Sequence, residues 1–227
     1  MELEELLNSL HISLEESQLR QLELYADLLI EWNEKFNLTA ITDRQEIYLK
    51  HFADCLLLNR YPLGEKLADV GTGAGFPAIV LKIANPNLKV TMLEPNHKKI
   101  TFLNEVIRHL QLKDIEAVDR RSEDYARENF DCFDTVTSRA VAAMNILSEL
   151  CLPLVRVGGH FLAMKGPKGN EELQESTNAL RKLGASVNSV DSYDLGDQQR
   201  LIIDVVKNQP ADRRYPRNYS QIRKKPL

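Results

Sequence analysis

Three glycines at alternate positions follow a short apolar run in "LADVGTGAGFP" (67–77): Gly71, Gly73 and Gly75, with Asp69 two residues ahead of the first and Phe76 directly behind the last. Glycine takes up positive φ without a Cβ penalty and lets a ligand approach the backbone closely. A strand before such a turn and a helix after it aim free N–H groups at whatever lies over the turn. The pattern therefore points to a nucleotide-cofactor loop. Its spacing discriminates between cofactors. A dinucleotide fingerprint needs glycine at the first, third and sixth positions, and the sixth position here is Phe76. A second acid, Glu94, closes the next apolar run 23 residues after Gly71. A carboxylate there can accept both hydroxyls of an adenosyl ribose. NAD would use the same acid, so it is the missing sixth glycine that decides against a dinucleotide.

Two different regimes of pattern must position these groups. Residues 1 to about 60 contain neither glycine nor proline. Within them Leu14, Gln18, Leu22, Tyr25, Leu29, Trp32 and Phe36 recur at helical steps and mark one largely apolar face. "YPLGEK" (61–66) is the first turn cluster. Beyond it strands alternate with helices. The expected strands are 66–71, 89–95, 115–119, 134–140, 160–166, 185–193 and 200–207; helices follow Phe76 and His97 and cover 143–151 and 170–183. This predicts an α/β fold, a doubly wound, mostly parallel seven-stranded sheet of Rossmann-like type with an N-terminal helical region. The expected division is a helical cap (1–62), a cofactor-binding domain (63–208) and a basic tail (209–227).

The arrangement Asp69-x-Gly71-x-Gly73-x-Gly75 resembles motif I of S-adenosylmethionine-dependent methyltransferases, and that cofactor is expected. Absences narrow the chemistry. The place after the fourth strand, where an Asn/Asp-Pro-Pro-aromatic motif accompanies methylation of exocyclic amines, holds "TSRA" (137–140). Methylation of pyrimidine carbon 5 needs a cysteine nucleophile, and Cys151-Leu152-Pro153 lacks the Pro-Cys order. A ring nitrogen such as guanine N7 carries an outward lone pair and no proton, so it needs neither base nor nucleophile.

The segments "EWNEKFNLTAITD" (31–43), "KHFADCLLL" (50–58), "LADVGTGAGFP", "MLEPNHKKITFLNEV" (92–106), "TSRAV" (137–141) and "YPR…KKPL" together resemble the RsmG family, also called glucose-inhibited division protein B. These are 16S ribosomal RNA methyltransferases acting on guanine N7 near the decoding centre. The resemblance spans essentially the whole chain. It implies cofactor contacts at Gly71 and Phe76, ribose binding by Glu94, and an adenine flanked by Ser122 and Glu123. It places Arg139, after the fourth strand, near the methionine end of the cofactor and the incoming base. Departures are "PAIVL" for "PGIPL", a tail without a Gly-Thr-Pro turn, and "LEP" for "LDS", which keeps the carboxylate on a longer stem.

The net charge is −4, yet residues 207–227 hold seven basic residues against one acid, Asp212. A basic tail on an acidic body suits a polyanionic partner. Lys165 and Lys168 after the fifth strand, with Arg213, Arg214, Arg217, Arg223, Lys224 and Lys225, form the expected RNA track. Tyr215 and Tyr219 either stack on a base or pack on the domain. His51 and Asp54 are expected to dock the helical region on the sheet, and Phe36, Asn37 and Leu38 to form its hinge. The three cysteines have neither C-x-x-C spacing nor even pairing, so free thiols and no metal site are expected. No apolar run approaches the roughly 20 residues of a membrane span. A cytoplasmic monomer acting on 16S rRNA or the small ribosomal subunit is the expectation. The alternatives are a methyltransferase of the same fold with a small-molecule or protein substrate, and a cofactor-responsive binding protein without turnover.

Overall fold

The computed structural model describes residues 2–227. The stretch without glycine or proline forms α1 (Leu3–Ser9), the 21-residue α2 (Glu16–Phe36) and α3 (Arg44–Ile47), which runs on through a π-helical stretch Tyr48–Ala53 into α4 (Asp54–Leu56) and a 3-10 turn, Leu57–Arg60. Local signals set the ends. Glu15 and Gln18 make a reciprocal capping box at the start of α2. Asn37, at φ 48°, ends it in the left-handed conformation that Asn tolerates.

Strands and helices then alternate: β1 (Lys66–Val70), α5 (Ala78–Ala84), β2 (Lys89–Leu93), α6 (His97–His109), β3 (Ile115–Val118), α7 (Ser122–Tyr125), β4 (Phe133–Arg139), α8 (Met144–Cys151), β5 (Val155–Lys165), α9 (Gly169–Glu175), α10 (Thr177–Lys182), β6 (Ala185–Leu195), β7 (Gln198–Lys207) and α11 (Tyr219–Lys224). The sheet order is β3-β2-β1-β4-β5-β7-β6. The first five strands are parallel, and β7 runs antiparallel between β5 and β6. The chain reverses strand order at β1, so a crevice opens beyond the carboxyl ends of β1 and β4. The helix expected at 170–183 is broken at Ser176, whose hydroxyl donates to the carbonyl of Leu173 at 2.7 Å. Such back-bonding competes with the helical ladder.

Alternation of side chains across each strand builds two cores. Leu67, Leu162, Met164 and Ile202 face one with α1, α2, α5 and α6, whereas Ala68, Phe161, Ala163 and Ile203 face the other with α8, α10 and α11. The N-terminal helices share the first core with the sheet: Leu22, Tyr25, Ala26 and Leu29 are fully buried. The face of α2 also carries polar handles. Gln18 donates to the carbonyls of Ile83 and Ala84 at the end of α5, and Gln21 to that of Leu110 at the end of α6. These carbonyls are among those a helix end leaves without partners.

Tyr25 reaches furthest: its hydroxyl donates to the carbonyl of Ala74 inside the glycine turn. Tyr25→Phe leaves that buried carbonyl unpaired. The expected loss is about 1–3 kcal/mol of unfolding free energy in urea titration, with an unchanged circular dichroism spectrum.

Candidate active site

The glycine turn connects β1 to α5, and its three glycines have different reasons to be glycine. Gly71, at φ +68°, lies against Val141, whose Cγ2 would sit 2.4 Å from an added Cβ. Gly75, at φ +99°, is closed in by Ile79 and the Tyr25 hydroxyl. Gly73, at φ +62°, has only the Gly71 carbonyl within 4.0 Å of such a Cβ. Above Gly73, then, is open space that any side chain would fill. Phe76 turns the other way. It is buried among Tyr25 (5.3 Å between ring centroids), His51 (4.3 Å) and Phe52, so its ring is part of the helical layer and only its backbone belongs to the turn.

Glu94, just past β2, is 5% exposed and braces the turn: its Oε2 accepts from the Gly73 N–H and its Oε1 from the Asn96 N–H, both at 3.0 Å. Each carboxylate oxygen has two lone pairs, so both keep capacity for a ligand hydroxyl. Beside it lies a cavity of about 100 Å³ lined by Gly71, Pro95, Ser122, Glu123, Val141 and Tyr219. Ser122 and Glu123 are both buried, and burial raises the Glu123 carboxyl. Tyr219 comes from α11, with the Arg121 guanidinium 5.3 Å from its ring centroid. The tail thus packs on the domain: Ile222 is fully buried, and Tyr215 and Tyr219 lie against the second core.

Asp69, one residue before the end of β1, is fully buried; Thr137 Oγ1 donates to its Oδ1 at 3.1 Å, while Asp69 Oδ2 and the hydroxyl of Thr72 have no partner. Burial pushes its carboxyl up to about 7. An adenosyl ligand with a cationic amino-acid end fits this set: a ribose acceptor in Glu94, open space over Gly73, and an orphaned acidic oxygen beside the turn.

A second cavity of about 320 Å³ adjoins the first, with Val141 in the wall of both. Arg139 dominates it. Its guanidinium donates to Asp54 Oδ2 (3.2 Å), to the Lys50 carbonyl (3.1 Å) and to His51 Nδ1 (3.0 Å), and stands 5.1 Å over the Phe76 ring. Burial and the charge of Arg139 depress His51 to about 3, so its imidazole is neutral at pH 7. Nδ1 then accepts from Arg139, and the Nε2–H donates to Thr39 Oγ1 at 3.1 Å. Tyr193 of β6 donates to the other Asp54 oxygen at 2.6 Å. His51 and Asp54 do dock the helical region on the sheet, through Arg139.

The expected RNA track divides. Lys165 is 8% exposed, donates to the Ala142 carbonyl and pairs with Glu172 at 2.6 Å. Arg217 makes a bidentate pair with the fully buried Glu149 (2.9 and 2.6 Å). Both are internal braces and leave the candidate RNA set. Lys168, Arg213, Arg214, Arg223, Lys224 and Lys225 are exposed. Arg213 lies 4.2 Å over the Phe130 ring, and Arg214 pairs with Asp212. Sequence reasoning missed Glu172, Tyr193, Arg200 and Val141. For the pair on the hairpin a signal existed: around "DLGD" (194–197), the antiparallel register sets Tyr193 opposite Arg200.

The sheet order, the glycine turn after β1 and the acid after β2 define a methyltransferase fold of the S-adenosylmethionine-dependent kind. The solved 16S rRNA (adenine(1408)-N(1))-methyltransferase of Catenulisporales acidiphilia, in complex with the cosubstrate, superposes with a TM-score of 0.53 at 16% identity over 65% of this chain and 87% of that one. The sequence matches the family described as GidB, rRNA small subunit methyltransferase G, over residues 18–202. It is 45% identical over 224 residues to the ribosomal RNA small subunit methyltransferase G of Staphylococcus saprophyticus, covering 95% of this chain and 93% of the relative. Against the protein of that name from Desulfitobacterium hafniense it is 45% identical over 222 residues, covering 96% and 93%. The chain belongs to the rRNA small subunit methyltransferase G family and, with it, to the S-adenosylmethionine-dependent methyltransferases.

The elevated Asp69 gives the site a pH signature. A carboxyl that holds its proton better folded than unfolded makes the protein bind more protons folded, so stability without ligand falls as pH rises from about 4 to about 7. An ionised Asp69 would favour a cationic ligand at the turn, so the affinity of such a ligand is expected to run the opposite way. Calorimetric titration is expected to show the dissociation constant improving from pH 6 to pH 7.5, and Asp69→Asn to abolish that limb.

Proposed function

We propose that this protein transfers a methyl group from S-adenosylmethionine to N7 of a guanine in 16S ribosomal RNA, near the decoding centre, in the cytoplasm where ribosomal subunits assemble. The observation that carries the reading is the junction of two cavities at Val141, one beside the ribose acid and one beside Arg139. The cysteines line neither cavity. Cys55 and Cys151 are buried thiols raised by their burial. Guanine N7 is a target that asks for no nucleophile and no base, and the two carboxylates of the larger cavity are held by cations.

In this reading Glu94 binds the ribose, Asp69 and the Gly71-Gly73-Gly75 turn accommodate the amino-acid end, and Ser122 and Glu123 flank the adenine. A cofactor held by these residues would supply an electrophilic methyl, which would bond to N7 as the carbon–sulfur bond broke, with the electron pair left on sulfur and the positive charge on the guanine ring. The protein's contribution is alignment, which can supply roughly 7–11 kcal/mol of a barrier. Arg139, immobilised by Asp54, His51 and the Lys50 carbonyl, is the catalytic side chain that fixes the edge of the base cavity. Lys168, Arg213, Arg214, Arg223, Lys224 and Lys225 hold RNA phosphates, and the target base is extruded or already unpaired.

Methyl-labelled cofactor is mixed with small subunits from cells lacking this enzyme, and the product is mapped by cleavage specific for 7-methylguanosine. One labelled guanine is expected, with Arg139→Lys lowering kcat/KM by about 10- to 100-fold, equivalent to roughly 1.4 kcal/mol per decade. Label in protein or small molecules and none in RNA would contradict the reading. In a separate binding titration, Arg213→Ala with Arg214→Ala is expected to flatten the slope of log affinity against log salt by about 1.4 to 1.8; an unchanged slope removes the tail from the RNA surface.

A further inference from the structure

The larger cavity has walls that the proposed reaction does not use. Besides Arg139, its lining includes Glu172, from α9, and Arg200, from the β6–β7 hairpin. Glu172 is engaged through one oxygen only: its Oε2 accepts from the Met144 N–H at 3.0 Å and from Lys165 at 2.6 Å, while its Oε1 has no hydrogen bond. Its side chain keeps 27% exposure. Arg200 gives one terminal amino group to Gln198 at 2.8 Å, and its Nε–H is buried with no acceptor. Buried donors in native proteins nearly always find a partner, and the residues lining this cavity include both an unfilled acceptor, on Glu172, and an unfilled donor, on Arg200. About 320 Å³ is at the small end of the range for ligand pockets, roughly 300–1,000 Å³. It suits one extruded nucleotide and excludes a duplex.

We propose that this cavity reads the identity of the target base: Glu172 Oε1 accepts from N1–H and the N2 amine of guanine, and the Arg200 guanidinium donates to an oxygen of the same nucleotide. The inference rests on the guanine-N7 reading above. N7 and the N1 and N2 donors lie on different edges of guanine, so a base whose N7 points toward the cofactor turns those donors into the cavity that Glu172 and Arg200 line. Adenine has an acceptor at N1 and no amine at C2, which would set lone pair against carboxylate. The contact also discriminates in time. As the ring gains positive charge during transfer, its N1–H and N2–H groups become stronger donors, so the bond to Glu172 tightens in the transition state. An interaction that strengthens there raises kcat rather than lowering KM alone. Glu172 touches substrate in this proposal, and Lys165 and the Met144 N–H position its carboxylate.

The test uses small subunits reconstituted with rRNA in which the guanine methylated by the wild-type enzyme is replaced by inosine, which lacks only the N2 amine. For the wild type, kcat on the inosine subunit is expected to fall about 10-fold or more, the discrimination typical of a good base contact. Glu172→Gln is expected to lose a similar factor on guanine and to become indifferent to inosine. Arg200→Met is expected to lower kcat/KM about 10-fold. In both variants the cofactor dissociation constant, measured by calorimetry, is expected to stay within threefold of wild type. A wild-type enzyme that methylates both subunits equally overturns the proposal, and that measurement needs no variant to fold. Cofactor binding weakened 10-fold or more in Glu172→Gln or Arg200→Met also overturns it, because the cavity would then hold the cofactor's amino-acid end. A wild-type enzyme that leaves guanine unmethylated is the separate failure of the functional reading.

Discussion

Arg139 stands at the end of a central parallel strand, and its guanidinium is bound by groups from a helical segment some 85 residues earlier in the chain: Asp54, the Lys50 carbonyl and the neutral imidazole of His51. Asp54 is held in turn by Tyr193 from the antiparallel edge of the sheet. The ion pair therefore joins three parts of the fold at the mouth of the crevice. Removing one partner of a buried pair leaves an uncompensated charge, at roughly 3–5 kcal/mol. The π-helical stretch Tyr48–Ala53 that supplies Lys50 and His51 lies where the regular helical ladder gives way, as π segments at functional sites do.

The same helical layer sets the glycine turn from the other side. Tyr25 hydrogen-bonds Ala74, closes off Gly75 and stacks on Phe76. The turn is thereby pressed between α2 beneath and Glu94 beside it, and only the space over Gly73 remains open. A rigid turn, a braced carboxylate and an immobilised guanidinium have little left to reorganise when ligands arrive. Such preorganisation is what a reaction dependent on alignment requires.

Much of this was legible in the sequence, for identifiable reasons. The alternation of strands and helices is local, and so is the glycine spacing that rejects a dinucleotide. The acid after β2 is one crossover away and could be anticipated from strand length. Side-chain partnerships across the fold were less accessible. Lys165 and Arg217 read as free cations because the acids that hold them, Glu172 and Glu149, lie on other elements and only tertiary packing brings them close. Phe76 sits within the motif, yet its ring faces the helical layer, a direction that spacing does not encode. Tyr193 and Arg200 come to the site on a hairpin whose return beside α4 follows from the antiparallel insertion of β7.

The central claim is spatial: the cofactor lies over Gly73 and meets its substrate at the Val141 wall. The crystal structure of the complex with S-adenosylhomocysteine tests it most directly. The expected result has the ribose hydroxyls on Glu94, the adenine beside Ser122 and Glu123, and the sulfur at the boundary with the Arg139 cavity. An amino-acid end lodged between Arg139, Glu172 and Arg200, or a ribose away from Glu94, would contradict it.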